Sequence, residues 1–225
     1  MQNSGLDLRQ WIAQQLNSQA FEFNPLPGDA SFRTYYRVLH QDKSYIVMVA
    51  PPLKERTQEF VHIASAWHKE GILVPKVLAW QEENGFVLLS DFGDVLLLSR
   101  LNAHNVNGFY QDALSQIVLL QNTNSNLANL PPYDLNYANK EIMLFQEWFI
   151  TKLLNLENTS QESGMWQLLC KNVLENFCHQ PQVTVHRDFH SRNLMVLSDD
   201  ALGIIDFQDA MVGPITYDAV SLLKD

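Results

Sequence analysis

The chain is poor in several things that would each have announced a class of protein. It has 2 cysteines in 225 residues, Cys170 and Cys178. On one helix they would stand about 12 Å apart at about 1.5 Å per residue, too far for a disulfide. Both are expected to be buried, reduced thiols, and without a C-x-x-C pair structural zinc has no support. Positive charge is scarce as well: 15 Lys and Arg face 25 Asp and Glu, for a formal net charge of −10. That balance argues against nucleic acid, whose backbone calls for a basic face, so any anionic ligand must be held locally. No run approaches the length of a membrane span, and no basic, apolar, small-residue leader opens the sequence, so no membrane association and a cytoplasmic location are expected. No internal repeat is present, and the Asn-rich run 122–129 reads as a loop.

Apolar residues make up 46 % of the chain, with 12 Phe, 5 Trp and 7 Tyr, enough for a sizeable core in one domain or two lobes. The most informative stretch runs from Val183 to Asp209, V-T-V-H-R-D-F-H-S-R-N-L-M-V-L-S-D-D-A-L-G-I-I-D-F-Q-D. Two short apolar runs, 194–197 and 202–205, flank a turn at Ser198, Asp199 and Asp200 and predict a hairpin. Asp188 and Asn193 precede it and Asp206 leaves it, so its folding can gather two carboxylates and an amide oxygen at one end. Those hard oxygens suit Mg²⁺. The order H-x-D-x-x-x-x-N followed by I-D-F is also that of kinase catalytic loops, with the first Asp as base and the later Asp on metal.

Before this stretch the chain divides in two. An amphipathic helix is predicted over 6–16, strands over 21–26, 32–39 and 44–50, a helix over 53–69, and strands over 77–81 and 86–89. This is a five-stranded antiparallel unit with a helix inserted after the third strand. From Ser90 to Val183 the pattern turns helical, with helices over 109–121, 138–154 and 165–178. After the hairpin, Gly213-Pro214 reads as a turn and Tyr217 opens a last helix. The expected fold is therefore α+β and bilobal, with 1–92 as the β-rich lobe and 93–225 as the helical lobe that carries the hairpin.

With this order in place, the sequence resembles the aminoglycoside phosphotransferase and choline kinase superfamily of protein-kinase-like fold, over nearly its whole length. The segments G-D-A-S-F-R-T-Y-Y-R-V, I-V-M-V-A-P-P, V-H-R-D-F-H-S-R-N-L-M and I-D-F-Q-D-A-M-V-G-P-I-T-Y-D are most similar to the anomeric kinases of N-acetylmuramate and N-acetylglucosamine in bacterial cell-wall recycling. The resemblance implies transfer of the ATP γ-phosphate to the C1 hydroxyl of an amino sugar, with Mg²⁺. An aminoglycoside or other small-alcohol kinase, or a nucleotide-binding protein without turnover, is the alternative. A protein kinase is disfavoured, because Tyr217 follows Asp206 by only eleven positions, which leaves no room for a long activation loop.

The resemblance also implies roles. Asp188 is the base, and Asn193 and Asp206 hold Mg²⁺. Gly28, Asp29, Ala30 and Ser31 form a turn covering the phosphates. Ser90, Asp91 and Phe92 are the hinge whose backbone bonds adenine, their side chains carrying no message. His186 orients the loop by packing and hydrogen bonding rather than ligating metal. His190 and Arg192 are candidates for phosphate or sugar, Arg192 being equally suited to a structural ion pair. Asp209 could support the metal site, while Asp218 tethers the last helix to the loop or caps that helix. Glu147 and Trp148 could reach the acceptor or be a surface Glu and a core Trp. Arg33 and Arg37 share one strand face, either solvated or turned to the phosphates. Most of the superfamily carry a lysine on the third strand, paired with a helix glutamate; here Met48 stands in its place, and Glu59 is the candidate glutamate without that partner. Relatives of this kind run roughly a hundred residues longer, a size in keeping with two lobes, so the acceptor pocket is expected to be incomplete in 225 residues and a longer form more stable and more active.

Overall fold

The computed structural model describes residues 4–27, 32–55, 57–156 and 160–225. Helix α1 (Ser4–Leu16) leads into strands β1 (Glu22–Pro25), β2 (Thr34–His40) and β3 (Lys43–Val49). Helix α2 (Thr57–Lys69) and strands β4 (Val77–Gln81) and β5 (Phe86–Ser90) follow. The five strands form one antiparallel sheet in the order β1-β2-β3-β5-β4. Alternation along the strands decides what each face covers. Val38, Val47, Phe86 and Leu88 pack on Leu8, Trp11 and Ile12 of α1, with the Trp11 and Phe86 rings 5.5 Å apart. Met48, Val87 and Leu89 point the other way, into the core that holds Phe60, Ile63, Ala64 and Trp67 of α2.

Helix α2 begins at Thr57, four residues later than its pattern predicts. Pro51 and Pro52 start a turn in which the Lys54 and Glu55 amides donate to the Pro51 carbonyl at 2.9 and 3.0 Å, and Leu53 is fully exposed. An apolar side chain with no surface to cover does not extend a helix. The adjoining strand end needs Gly85, where φ is +66° and a Cβ would lie 1.8 Å from the Ala50 carbonyl oxygen.

The rest is mainly helical: α3 (Leu97–Arg100), α4 (Val106–Gln121), α5 (Ser125–Ala128), α6 (Leu135–Leu144), a π-helical continuation over Phe145–Leu153, and α7 (Ser160–Cys178). The Asn-rich run is not simply a loop. The Asn124 side chain caps α5 by accepting from the Asn126 amide, and Asn129 ends it in the left-handed region at φ +51°. Then come β6 (Gln182–Val185), the hairpin β7 (Leu194–Val196) and β8 (Leu202–Ile204), β9 (Met211–Pro214) and α8 (Tyr217–Leu223). Gly213 and Pro214, expected in a turn, instead end β9, which pairs with β6 from Gln182↔Pro214 to Val185↔Met211. Proline is tolerated there because the strand is at the edge of a two-stranded ribbon. This ribbon brackets the hairpin and fixes both ends of the predicted catalytic stretch.

The apolar segment expected as one helix over 138–154 is divided between α6 and the π-helical turns, and much of it faces outward. Leu144, Phe145, Trp148, Phe149 and Leu153 are exposed, as are Leu168 and Leu169 of α7. Cys170 and Cys178 are free thiols whose pKa burial pushes up. Among the described residues no helix is long and apolar enough to cross a membrane.

Candidate active site

A cavity of about 480 Å³ opens between the sheet and the hairpin. Leu26, Ile46, Leu89, Phe92, Leu96, Met195 and Ile205 supply its apolar wall, and Asn193, Asp206 and Gln208 stand together on its polar side. The volume and the mix of an apolar wall with few polar groups are those of a small-ligand site.

The loop below the cavity is held from within. Phe189 and Phe207 are both wholly buried, and Phe207 stacks on Phe60 of α2 with centroids 4.8 Å apart. The buried His186 donates from Nε2 to the Ile205 carbonyl at 2.9 Å, and its Nδ1 accepts the Asp188 amide at 3.3 Å. Those two bonds specify a neutral ring. Burial lowers its pKa despite Asp218 nearby, in agreement. Asp218, also fully buried, accepts the His186 amide at 2.7 Å and the Arg187 amide at 2.9 Å. It thereby tethers α8 to the loop, the first of its two expected roles. Burial raises its carboxyl pKa against the influence of His186 and those two amides.

The three candidate chemical groups converge. Asn193 Nδ2 donates to the Asp188 carbonyl at 2.9 Å and to Asp188 Oδ2 at 3.0 Å. Its amide nitrogen is thus committed, leaving the amide oxygen as the free acceptor beside the cavity that it shares with Asp206. Asp206 Oδ1 accepts from Gln208 Nε2 at 2.7 Å. A carboxylate and an amide oxygen form a donor set suited to Mg²⁺. Among the described residues no cluster of three or more His, Cys, Asp or Glu is poised to hold a metal, so a zinc site built on His186 and His190 has no support. Backbone strain marks both ends of the site: Arg187 has φ +76° and Asp206 φ +64°. Such conformations cost roughly 1–3 kcal/mol each in side-chain-bearing residues and persist where surrounding contacts enforce them.

Several other candidates stand away from the cavity lining. Arg33 pairs with Glu55 at 2.9 Å and does not line the cavity. Glu147 pairs with Lys152 at 2.8 Å on the surface, and Lys152 lies 3.6 Å over the exposed Trp148 ring; neither residue lines the cavity. Arg192 is exposed, its amide donating to His190 Nδ1 at 3.3 Å. His190 turns its Nε2 to Asp188 Oδ1 at 3.0 Å. The exposed Asp209 offers its carbonyl to Arg187 Nη1 at 3.3 Å. Residues Gly28, Asp29, Ala30 and Ser31 lie outside the described residues. Met48 is wholly buried in the same core as Phe60 and Phe207, while Glu59 is on the exposed face of α2, so apolar packing occupies the place of a lysine and glutamate pair.

The hinge corrects the expectation that its side chains carry no message. Asp91 accepts Arg37 Nε at 2.6 Å and the Gly93 amide at 2.8 Å, together with the Ser44 hydroxyl. Burial opposes its ionisation, but Ser44, Arg37 and Gly93 together hold Asp91 below the usual carboxylate range. Arg37 Nη1 also reaches Asp94 at 2.6 Å. Arg37 therefore locks β2 to the hinge and is not a free cation awaiting phosphate. Ser90 and Phe92 line the cavity. Phe92 lies against Gly203 of β8, where a Cβ would come within 2.6 Å of its ring. The sequence signal for the Asp91 lock is slight: one acid in the hinge, another just beyond it, and an arginine on β2, which β3 separates from β5.

Arg187 ties the loop to α6. It pairs with Glu141 of α6, which accepts the Tyr133 hydroxyl as well, and lies 4.9 Å over the Tyr137 ring. Burial and Glu141 push the Tyr133 pKa up.

An antiparallel sheet with one inserted helix, followed by a helical part that carries the loop and hairpin at 186–206, defines a protein-kinase-like fold. The chain belongs to the phosphotransferase enzyme family, whose profile matches residues 22–225. It is similar to the N-acetylmuramate/N-acetylglucosamine kinase of Pseudomonas aeruginosa, at 39 % identity over 91 % of this chain and 60 % of that one. To the N-acetylmuramate/N-acetylglucosamine kinase of Neisseria meningitidis serogroup B it is 36 % identical, over 98 % and 66 %. The chain thus spans about three fifths to two thirds of the length of these relatives. Among solved structures, the GDP and kanamycin complex of APH(2″)-IIIa shares the fold, with a TM-score of 0.68 at 16 % identity over 98 % of this chain and 78 % of that one.

Proposed function

We propose that this chain carries the catalytic centre of an ATP-dependent kinase that phosphorylates the anomeric hydroxyl of an amino sugar, N-acetylmuramate or N-acetylglucosamine. The observation that carries it is the Asp188 carboxylate, 57 % exposed at the mouth of the loop while Asn193 holds one of its oxygens. A carboxylate placed in this way accepts the proton of the sugar C1 hydroxyl. The oxygen then forms a bond to the γ-phosphorus as the bond from that phosphorus to the bridging oxygen breaks, and the electron pair leaves on ADP. Asn193 and Asp206 would hold Mg²⁺, which neutralises phosphate charge when bound. The apolar wall with the hinge at Ser90, Asp91 and Phe92 takes the base of the nucleotide. Little more is demanded of the protein, since phosphoryl transfer depends chiefly on positioning and charge stabilisation.

The division into 1–92 and 93–225 and a cytoplasmic location belong to the same reading, ATP being the donor. The names of the curated relatives favour an amino sugar over an aminoglycoside as acceptor. Because a relative in fold binds GDP, the test offers ATP and GTP separately to the protein with Mg²⁺ and a panel of amino sugars and aminoglycosides, followed by phosphorus NMR of the product. An anomeric sugar phosphate formed from ATP supports the reading. Phosphate on another hydroxyl, or nucleotide binding without transfer to any acceptor, contradicts it.

A further inference from the structure

We infer that His190 is a positioning residue for the catalytic carboxylate, holding Asp188 from the side opposite to Asn193. Asp188 and His190 flank Phe189, whose ring is wholly buried and anchors the segment, so both polar side chains emerge on the open side of the loop. The imidazole is oriented by a hydrogen bond at Nδ1 and has a close neighbour at Nε2. Nδ1 accepts the Arg192 amide at 3.3 Å, which leaves the proton on Nε2, and Nε2 lies 3.0 Å from Asp188 Oδ1. Asn193 Nδ2 lies 3.0 Å from Oδ2.

Each carboxylate oxygen therefore has a side-chain nitrogen 3.0 Å away, Asn193 Nδ2 as a hydrogen-bond donor and His190 Nε2 as a close contact, so rotation of the carboxylate about its own axis is restrained from both sides. A carboxylate oxygen has two lone-pair sites, so one on each remains to accept a hydroxyl proton. The proton-accepting atom is presented in one orientation, which is what a reaction dependent on alignment requires. The His190 side chain is three-quarters buried, with Nδ1 bonded to the Arg192 amide and Nε2 against Asp188, which distinguishes it from a residue waiting for sugar. The role rests on the phosphotransferase reading, yet the contact on which it depends can be observed without turnover.

The test compares His190→Ala, His190→Gln, Asp188→Asn and the double variant His190→Ala/Asp188→Asn. Steady-state kinetics use ATP and N-acetylglucosamine, with thermal melting as the check on folding. Support lost from one side of an aligned group lowers kcat ~10–100-fold while KM for both substrates stays within about twofold. Glutamine places an N–H near the position of Nε2, and His190→Gln recovers most of the loss. In the Asp188→Asn background, His190→Ala adds nothing further, because the group it positions is gone. A fall confined to KM, an additive double variant, or an unaltered His190→Ala enzyme overturns the inference. In parallel, ¹⁵N spectra of histidine-labelled protein show His190 as the Nε2–H tautomer, with its resonances displaced by Asp188→Asn. Displacement in a protein that transfers no phosphate removes the enzymatic reading and leaves the contact standing. Resonances that ignore Asp188→Asn overturn the contact itself.

Discussion

Replacing Asp218 tests how the catalytic loop is fixed to the rest of the molecule. The carboxylate is fully buried and takes the backbone amides of His186 and Arg187 at 2.7 and 2.9 Å. Asp218→Ala leaves two buried N–H groups without acceptors, at about 1–3 kcal/mol each, so the folded state loses about 2–6 kcal/mol. For a chain of this size, about 2–4 °C per kcal/mol converts this into a fall of about 4–24 °C in Tm. Asp218→Asn separates charge from hydrogen bonding. Its amide oxygen can serve one of the two donors, and it lacks the charge that burial penalises, so a loss of about half that size is expected. Activity should fall with stability in both, because Arg187 holds a left-handed backbone at φ +76° immediately before Asp188. Thermal melting followed by circular dichroism, with ADP release measured well below Tm, reads both effects. An Asp218→Ala protein with unchanged Tm and unchanged turnover would refute the tether.

Other consequences can be checked in the same way. Met48→Lys restores the residue usual at this strand position in the superfamily, but Met48 is wholly buried beside Phe60 and Phe207 and Glu59 faces outward; an unpaired buried ammonium should cost on the order of 3–5 kcal/mol, seen as a large fall in Tm and no gain in kcat. Gly203→Val pushes a side chain into Phe92, whose ring lies 2.6 Å from the site of the new Cβ; KM for ATP should rise ~10-fold, about 1.4 kcal/mol, and Phe92→Ala in the same protein should restore tolerance to the larger side chain without restoring full affinity. For Asp91 the folded pKa is depressed, so its stabilisation is fully present above the unfolded value of 3.8 and is lost as pH falls through the folded value. Acid denaturation of Asp91→Asn should therefore be less steep below about pH 4 than that of the parent, and identical acid limbs for the two proteins would remove Asp91 as a contributor.

The sheet was legible because its chemistry is local. Alternation along 34–40, 43–49 and 86–90 places one set of side chains on α1 and the other on α2, and turn residues separate the strands. Asp188, Asn193 and Asp206 were legible because their spacing has a chemical meaning, and the structure brings the first two into direct contact and the last two to one cavity. What escaped depends on distant partners. The β6–β9 ribbon joins residues thirty apart, and Gly213-Pro214 carries a turn signal that the pairing overrides. The Asp91 lock depends on Arg37 from a strand fifty-four residues away. Glu147 and Trp148 have the residue types of a sugar site, but on the π-helical segment they face outward with Lys152. Composition identifies what a side chain could bind, whereas the direction in which it points is decided by the helix register.

The account stands on Asp188 as the group that takes the acceptor proton, and a rapid-quench single turnover with Asp188→Asn measures that directly. With saturating Mg-ATP and N-acetylglucosamine, the parent should form sugar 1-phosphate in one fast phase. Asp188→Asn should bind ATP with unchanged affinity, since Asp188 does not line the cavity between sheet and hairpin, and form product ~10²–10⁴-fold more slowly. Transfer at the parental rate in Asp188→Asn would contradict the mechanism at its centre.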